Sequence, residues 1–290
     1  MPAEASAFCP GHITAFFEIV EDRDPVRKGS RGAGLCITLG VRSRVKARQH
    51  SRQEVRVFLN REPLQRSTTE IAVGRLIGGA AYQVFVQMDS PLPVSQGFGL
   101  SGAGALSTVM AVNQALDLGF KPPQLVGIAH RAEVEAGTGL GDVVPQSQGG
   151  MDIRMEPGGP PHAQVKRLPQ EMDLLLCTTG LPMKTKDVLG NASLAAKITA
   201  VGHRCIEEFV AAPTKENLFR LGQQFSLETG LASPRTRDAI EACKMYGMAS
   251  MAMLGNAVFA TGQLENLVTV LTPFGPRYRC GVDNKGARLV

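Results

Sequence analysis

The sequence predicts an α+β fold with two domains, and three observations support that prediction. The chain has 290 residues, 43% of them hydrophobic, which is enough for one or two cores of ordinary size. Strand-like segments dominate the first half, whereas helical spacings dominate the second. A proline-rich turn at 157–161 and the stretch 166–169 separate the halves. We therefore expect one domain at residues 1–165 and another at residues 166–290.

Four segments of the first half alternate or are rich in β-forming residues, as strands do: 34–40, 41–48, 55–60 and 82–88. The basic residues of the second segment alternate with small or apolar ones: Arg42, Arg44, Lys46 and Arg48. The net charge of +5 raises nucleic-acid binding as an alternative function. However, this alternation indicates a sheet face in water, and no stacking motif accompanies the charges. We expect no nucleic-acid partner.

The stretch 96–105 is a glycine-rich loop that runs directly into an apolar helical pattern from Leu106 onward. Glycines let backbone N–H groups approach an anion, and the N-terminus of the following helix favours negative charge. The loop therefore predicts a site for the phosphates of a nucleotide triphosphate. The residues of this site are Gly97, Phe98, Gly99, Leu100, Ser101, Gly102, Ala103 and Gly104.

Two other phosphate signatures fit this loop less well. The Walker pattern needs a lysine after its glycines, and no lysine occurs within 76–120. Gly97, Gly99 and Gly102 do have the spacing of the dinucleotide pattern. That pattern also needs an acidic residue at a strand end about 20 residues further on, whereas Asp117 follows an apolar helix. Hydride transfer stays a secondary alternative.

A helix is predicted at 124–136, because prolines precede it and a glycine follows it. At roughly 100° per residue, Glu133 and Glu135 point about 200° apart, so only one of them can face a site. We choose Glu133, which shares its stripe with His130. A glycine-rich turn follows the helix and ends at Asp142.

The second half begins with a predicted strand at 173–178. Three helices are expected next, with Thr214 as the N-cap of the second and Ser233, followed by proline, at the start of the third. The segment 250–260 is either a buried strand or a turn that supports a ligand pocket, and both interpretations stay open. Helical spacing returns at 264–271.

Composition limits the cellular setting. No apolar run approaches the roughly 18 residues that span a bilayer, and the start of the chain lacks a signal-peptide pattern, so we expect a cytoplasmic protein without a membrane partner. The six cysteines are scattered and lack metal-site spacing. We expect them to be reduced packing residues.

The glycine loop, the helix with Glu133 and the turn ending at Asp142 resemble the matching segments of the GHMP kinase superfamily of small-molecule kinases. The resemblance implies the GHMP kinase fold, with an N-terminal domain like ribosomal protein S5 domain 2 and a C-terminal ferredoxin-like α/β domain. The family loop usually reads Gly-Leu-Gly-Ser-Ser-Ala-Ala-Leu, whereas Gly102 and Ala103 replace the serine pair here. Ser101 is then the hydroxyl left in the turn.

The resemblance also implies ATP and Mg²⁺ as cofactors, with Ser101 and Glu133 holding the metal and Asp142 acting as the catalytic base. The segment 10–14 replaces the substrate motif of the sugar kinases, so the acceptor should be a small hydroxy acid rather than a hexose. Arg154 suits the carboxylate of such an acceptor, because its planar guanidinium donates hydrogen bonds in pairs. The candidate acceptor residues are His12, Thr14, Ser30, Arg31, His130 and Arg154.

Several alternatives stay open at this point. Asp142 can be a turn acid, His130 a structural histidine, and Arg154 part of a salt bridge. The whole chain can be a GHMP kinase for homoserine or mevalonate, or a binding protein that has lost catalysis. The presence of both Glu133 and Asp142 argues against lost catalysis. The resemblance is compatible with a homodimer.

Overall fold

The computed structural model describes residues 2–183 and 185–290, and these residues form twelve strands and nine α-helices. The elements of the first half are β1 (Ala3–Val20), β2 (Gly29–Gln49), β3 (Glu54–Leu59), β4 (Glu62–Leu64), α1 (Thr68–Ile77), β5 (Tyr82–Asp89), α2 (Leu100–Leu116), α3 (Pro122–Ala136), α4 (Val143–Gln148), β6 (Met151–Glu156) and β7 (Gln164–Leu168). The elements of the second half are β8 (Asp173–Thr178), α5 (Thr185–Leu189), α6 (Ala192–Ala211), α7 (Lys215–Thr229), α8 (Pro234–Cys243), β9 (Gly247–Met251), β10 (Ala257–Gly262), α9 (Leu264–Leu271), β11 (Arg277–Gly281) and β12 (Arg288–Leu289).

The larger sheet has its strands in the order β12-β1-β2-β5-β3-β4, and β6 and β7 extend it beside the first half of β2. Its centre is the long antiparallel pair β1–β2, in which the register shifts twice, at Pro10/Gly11 and between Thr14 and Phe16. Helix α2 packs on this pair through buried apolar side chains such as Leu106 and Val109. The packing of these side chains therefore holds the start of α2 next to the part of β1 in which the register shifts.

The strand predictions for the first half are confirmed, with one change of length. Segments 34–40 and 41–48 form one continuous strand, β2, because both pair with β1 without an intervening turn. Arg42, Arg44, Lys46 and Arg48 are exposed, and the residues that alternate with them (41, 43, 45 and 47) are buried, as predicted. Strand β1 was not predicted from the sequence, since its central part is buried on both faces and contains Pro10 and Gly11.

The smaller sheet has the strand order β11-β8-β10-β9, and its pairs are antiparallel. The predicted strand at 173–178 matches β8, and the helices at its side include the expected caps: Thr214 accepts from the Asn217 backbone, and Ser233 accepts from the Thr236 backbone. Two aromatic contacts join β1 of the larger sheet to helices α6 and α7: Phe16 to Phe209 at 5.5 Å and Phe17 to Phe225 at 5.6 Å between ring centres.

The domain boundary that we expected at residues 165 and 166 falls inside β7, which pairs with β6 of the larger sheet. At the other end of the chain, β12 returns to pair with β1. We therefore propose that the division follows β7 and that the last residues belong with the first domain.

Within the described ranges, no helix is long and apolar enough to cross a membrane. The six cysteines are free, and all but Cys280 are buried, as expected of packing residues. Burial raises the pKa of the Cys9 and Cys36 thiols, so both are neutral at pH 7.

Candidate active site

A cavity of about 480 Å³ opens where both sheets and the first turns of two helices meet. Its wall contains the glycine loop before α2, the start of α1, the turn after α3 and the turn between β9 and β10. The predicted site residues in this wall are Thr14, Ser30, Gly97, Phe98, Gly99, Leu100, Ser101, Glu133 and Asp142. The fold thus brings the loop and both predicted acids to one place.

The glycine loop is more tightly wound than the sequence suggested. Gly97 and Gly99 have φ angles of 80° and 62°, and Gly99 is the N-cap of α2. The helix begins at Leu100 rather than Leu106, so Gly102 lies in its first turn and does not line the cavity. The N–H groups of this first turn lack acceptors within the helix and face the loop side.

Gly102, Ala103 and Gly104 are buried in the first turns of the helix and lie outside the cavity wall, so their contact with a phosphate stays a prediction. A Cβ on Gly102 would lie 3.0 Å from Oε1 of Glu133, and one on Gly104 would lie 3.0 Å from the Met88 sulfur. Both glycines serve close packing in this structure. Gly102 in particular makes the space in which Glu133 sits.

A second helix N-terminus, which the sequence analysis missed, faces the same cavity. Ser67 is the N-cap of α1 and accepts from the Glu70 backbone, and Ser67, Thr68 and Thr69 all line the cavity. The Ser-x-x-Glu pattern at 67–70 was the available signal for this helix start. Two positive helix ends therefore converge on one space.

Three hydroxyl groups form a closed triangle at the start of these helices. Ser101 Oγ is 2.8 Å from Thr68 Oγ1 and 3.0 Å from Thr138 Oγ1, and the two threonine hydroxyls are 2.9 Å apart. Thr138 belongs to the turn that folds back over Glu133. Ser107 is buried further along α2 and donates to the Ala103 carbonyl, so Ser101 is the α2 serine at the cavity.

Glu133 is 1% exposed, and its Oε2 has no hydrogen-bond partner in the described part of the chain. Burial, with a smaller contribution from the charge of Asp142, raises the pKa of Glu133 to about 8. A buried carboxylate oxygen without a donor is the group that a cation would satisfy. Glu135, by contrast, pairs with Arg75 at the surface, so the choice between the two glutamates agrees with the structure.

The residues around Glu133 suit Mg²⁺. Among residues 2–183 and 185–290, no group of three or more His, Cys, Asp and Glu side chains is placed to hold a metal. Mg²⁺ does not require such a group, because it keeps waters and is held by one or two carboxylates together with substrate phosphates. Glu133 and the hydroxyl of Ser101 provide oxygen donors of that kind beside the glycine loop.

Asp142 precedes α4 and lines the cavity with a side chain that is 26% exposed. Its Oδ1 accepts from His12 Nδ1 at 2.9 Å and from Thr14 Oγ1 at 3.3 Å. Burial raises the pKa of Asp142, but hydrogen bonds and positive charge from His12, with Arg154, outweigh burial and leave the pKa below its usual value. Asp142 is therefore ionised at pH 7 and faces the cavity.

His12 is buried behind Asp142 rather than in the cavity wall. Its Nε2 is 2.7 Å from Oδ2 of Asp152, a buried carboxylate that the sequence analysis missed. Burial lowers the pKa of His12, yet the charges and hydrogen bonds of Asp152 and Asp142 raise it to about 9. The strand period of two puts Asp152 on the same face as Arg154, and that spacing was the available signal.

Arg154 is 2% exposed and contacts the cavity wall through Thr14, whose Oγ1 accepts from Nη1 at 3.2 Å. Its Nε and Nη2 have no acceptor in the described ranges. Ser30 lines the cavity directly. Thr14 and Ser30 therefore form a polar end of the cavity, and Arg154 lies buried directly behind Thr14.

Besides His12 and Arg154, the predicted acceptor residues Arg31 and His130 also lie outside the cavity wall, and their contact with an acceptor stays a prediction. Arg31 donates to the Glu18 carboxylate and the Met155 carbonyl. His130 is fully buried, with Nε2 3.0 Å from the Lys28 carbonyl oxygen and its ring against Gly159. Burial lowers the pKa of His130. Arg31 is thus engaged by contacts within the first half of the chain, whereas Nδ1 of His130 has no hydrogen-bond partner among the described residues.

The segment 250–260 is the end of β9, a turn and the start of β10, so both open interpretations describe part of it. Met253 and Leu254 of the turn line the cavity, and the Met253 N–H donates to the Thr14 carbonyl at 3.0 Å. A Cβ on Gly97 would lie 2.6 Å from the Ala252 carbonyl oxygen. The turn therefore packs directly on the glycine loop.

Comparison with known proteins agrees with this geometry. Residues 67–150 match the family model described as GHMP kinases N terminal domain, which spans α1, the glycine loop, Glu133 and Asp142. A solved structure described as a phosphotransferase related to the CoA biosynthesis pathway is similar with a TM-score of 0.87 and 27% identity, over 99% of this chain and 98% of that chain. A homoserine kinase from Cytophaga hutchinsonii shares the fold, with a TM-score of 0.74 and 17% identity over 100% of this chain and 98% of that one. The α+β fold predicted from the sequence is therefore the GHMP kinase fold.

Comparison with curated relatives identifies the family within the superfamily. A pantoate kinase of Methanocaldococcus jannaschii is 32% identical over 272 residues, which cover 91% of this chain and 95% of that protein. A pantoate kinase of Methanospirillum hungatei is 32% identical over 289 residues, which cover 98% of this chain and 96% of that protein. The segments at 9–18, 28–34, 98–101, 129–142 and 282–288 also resemble the archaeal pantoate kinases. Because the similarity extends over nearly the whole chain, the protein belongs to the pantoate kinase family of the GHMP kinases.

Proposed function

We propose that this protein transfers the γ-phosphoryl group of ATP to the 4-hydroxyl of (R)-pantoate, which yields 4-phosphopantoate for archaeal coenzyme A biosynthesis. The observation that carries this proposal is the position of the ionised Asp142 in a cavity that two helix N-termini and Glu133 share. The names of the curated relatives support pantoate as the acceptor.

The nucleotide is proposed to bind at the helix-start side of the cavity. The N–H groups that begin α1 and α2 lack intrahelical acceptors and carry partial positive charge, which suits triphosphate oxygens. Lys186 also lines the cavity and adds a full positive charge on a mobile stem. In phosphoryl transfer, positioning and charge stabilisation supply most of the catalysis, and these groups supply both.

Ser101 and Glu133 are proposed to hold Mg²⁺ next to the phosphates. When bound, the ion offsets phosphate negative charge and orients the γ-phosphoryl group. The Ser101 hydroxyl already lies in a triangle with Thr68 and Thr138, which fixes its position at the start of α2. Glu133 reaches the cavity from the other side, through the space left by Gly102.

Asp142 is proposed to accept the proton of the acceptor hydroxyl. Its Oδ1 receives the hydrogen bonds from His12 and Thr14, so the orientation of the carboxylate is set before substrate binds. Because its pKa lies below the usual value, the group is in the basic form at pH 7. A base in this position contributes roughly 10²–10⁴-fold to turnover.

The polar end around Thr14, Ser30 and Arg154 is proposed to receive the pantoate carboxylate. Arg154 brings a buried positive charge with two unpartnered N–H sites in the described ranges, and an anion nearby would offset that charge. Phe17 and Met253 line the cavity with apolar surface that suits the two methyl groups of pantoate. The acceptor end is thus both cationic and apolar, as a branched hydroxy acid requires.

Homoserine and mevalonate are the alternative acceptors, because other GHMP kinases with this fold use them. The relatives named pantoate kinase weigh against both. Homoserine would also need an acid to pair with its amino group, and among the described residues the cavity wall contains no acid beyond Glu133 and Asp142. Either alternative would leave the nucleotide site unchanged and would require new roles for the acceptor residues.

The test is ADP release by the purified protein with ATP and Mg²⁺, in which (R)-pantoate is compared with pantothenate, homoserine and mevalonate. We expect pantoate-dependent turnover that falls by roughly 10²-fold or more in Asp142→Asn, with little change in ATP binding. Turnover with another acceptor, and none with pantoate, would contradict the proposed substrate. Full activity of Asp142→Asn would contradict the assignment of the base.

A further inference from the structure

Behind the cavity wall, five side chains form a closed ring of polar contacts. Asp142 contacts His12 at 2.9 Å, and His12 contacts Asp152 at 2.7 Å. Asp152 Oδ1 lies 3.6 Å from Arg154 Nη1, which donates to Thr14 at 3.2 Å, and Thr14 donates to Asp142 at 3.3 Å. The ring connects β1 and β6 to the residue that precedes α4.

The geometry of His12 requires a proton on both ring nitrogens. Each nitrogen faces a carboxylate oxygen within hydrogen-bond distance, and ionised carboxylates only accept hydrogen bonds. A neutral imidazole would place a nitrogen lone pair against one of these oxygens. With His12 protonated, two cationic side chains balance the two carboxylates of the ring, of which His12, Asp152 and Arg154 are buried.

A glycine of β2 leaves the space that the imidazole occupies. Gly34 lies beside His12 in the β1–β2 pair, and a Cβ at that position would lie 2.7 Å from Nε2 and 2.8 Å from Cε1 of the ring. Gly34 is also paired with Asp152 across β2 and β6. The imidazole therefore packs closely against a glycine, with one carboxylate within hydrogen-bond distance of each ring nitrogen.

We propose that Asp152 is a positioning residue for phosphoryl transfer, which acts by holding His12 between itself and Asp142. Asp152 is 1% exposed and outside the cavity wall, so it acts on the reaction through His12 rather than by contact with substrate. The inference rests on the proposed function, since it assigns a role relative to the base of that reaction.

All charged groups around His12 can be named from the elements packed against it. Asp142 approaches from the start of α4, Asp152 and Arg154 from β6, and Glu133 from α3. On β2, Cys36 is the register partner of His12, and burial keeps its thiol neutral at pH 7. Of these acids, Asp152 is the one that is buried and hydrogen-bonded to the imidazole on the side away from the substrate.

The first measurement is the pH titration of His12 by ¹⁵N NMR in histidine-labelled protein, with the signal assigned by its loss in His12→Gln. We expect both nitrogens to be protonated at pH 7 and the proton to leave with a midpoint near 9. In Asp152→Asn, the midpoint should fall by about 1–3 units, because a neighbouring opposite charge has been removed. A wild-type His12 with one protonated nitrogen at pH 7 would overturn the proposal without need of any variant.

The second measurement is the pH profile of kcat for the same variants. In Asp152→Asn, we expect kcat at pH 8 to fall roughly tenfold and the basic limb to move to lower pH together with the NMR midpoint. Asp283→Asn is the matched control, because Asp283 is also a buried carboxylate with several hydrogen bonds and its side chain bonds within the turn at 283–288. In Asp283→Asn, kcat should decline on the basic side at the same pH as in the wild type.

A purely structural Asp152 gives a different result. Activity and thermal stability would then fall together, as in the control, while the basic limb and the NMR midpoint stay in place, and that outcome overturns the proposal. Failure of the proposed function is distinguishable: without pantoate turnover, the kinetic profile vanishes, yet the NMR titration still decides whether Asp152 holds His12.

Discussion

The substitution Gly139→Ala tests the role of Glu133, because it displaces that side chain without removing any polar group. Gly139 belongs to the turn that folds over Glu133, and an added Cβ would lie 2.4 Å from Oε1 and 2.5 Å from Cδ of Glu133. Nonbonded heavy atoms settle at about 3.5 Å, so the carboxylate must retreat by roughly 1 Å. The φ of Gly139 is not in the left-handed region, so the change adds a contact rather than backbone strain.

A displacement of about 1 Å in a positioned group can cost roughly 10²-fold in rate. We therefore expect kcat/KM for Mg-ATP to fall by about 10²-fold, which corresponds to about 2.7 kcal/mol of transition-state stabilisation. The assay is coupled ADP release at saturating pantoate, with a magnesium titration and a thermal melt of each protein.

Gly127→Ala is the matched control for this prediction. Gly127 lies within α3, where the nearest atom to an added Cβ is the Pro160 carbonyl oxygen at 3.7 Å. Alanine there should raise stability by up to about 1 kcal/mol and leave activity unchanged. If Gly139→Ala is folded and keeps kcat/KM within about twofold of the wild type, the role of Glu133 in this account is wrong.

Three further predictions follow from the same contacts. Ser101→Ala should raise the Mg²⁺ concentration for half-maximal rate roughly tenfold in an ADP-release titration, while Ser107→Ala, which removes a buried hydroxyl from the same helix, should not. Arg154→Lys should raise KM for pantoate roughly tenfold without changing KM for ATP, because lysine lacks the planar fork; equal changes in both constants would contradict the acceptor assignment. The pKa of His12 is raised to about 9 from an ordinary value of 6.5, so its contribution to stability is complete below about 6.5 and is lost as the pH rises through about 9. Thermal melts from pH 6.5 to 9.5 should therefore show a fall in Tm that is smaller in His12→Gln, and identical slopes would refute this sign.

The sequence predicted local features of the fold well where one chemical signal determined the outcome. Thr214 and Ser233 cap their helices as expected, and the alternating basic residues of β2 lie on an exposed face. The sequence did not predict where α2 begins. The glycines and alanines of 100–105 belong to this helix, but they show no apolar helical spacing. Strand β1 was missed because burial on both faces removes the alternation that identifies a strand.

The candidate site likewise contains residues that the sequence could predict and residues that it could not. Glu133, Asp142 and Ser101 could be named because they lie in continuous motifs around one glycine loop and one turn. The pairing of His12 with Asp142 and Asp152 could not be predicted, since these residues are 130 and 140 positions apart and meet only after β1, β2 and β6 pair. Helical phase placed His130 near Glu133, but its ring packs against the turn at Gly159, which spacing alone does not reveal.

Two expectations from the sequence stay predictions. A homodimer can be tested by light scattering of the purified protein across a range of concentrations. A cytoplasmic location can be tested by cell fractionation.

The most direct test of the central claim is the identity of the product formed from ATP and (R)-pantoate. We expect phosphorus and proton NMR of the reaction mixture to show one new phosphate ester, on the 4-hydroxyl of pantoate, in equal amount to the ADP formed. A phosphate on the 2-hydroxyl would contradict the proposed orientation of the acceptor between Asp142 and Arg154. ADP with inorganic phosphate and unchanged pantoate would contradict the assignment of pantoate as the acceptor.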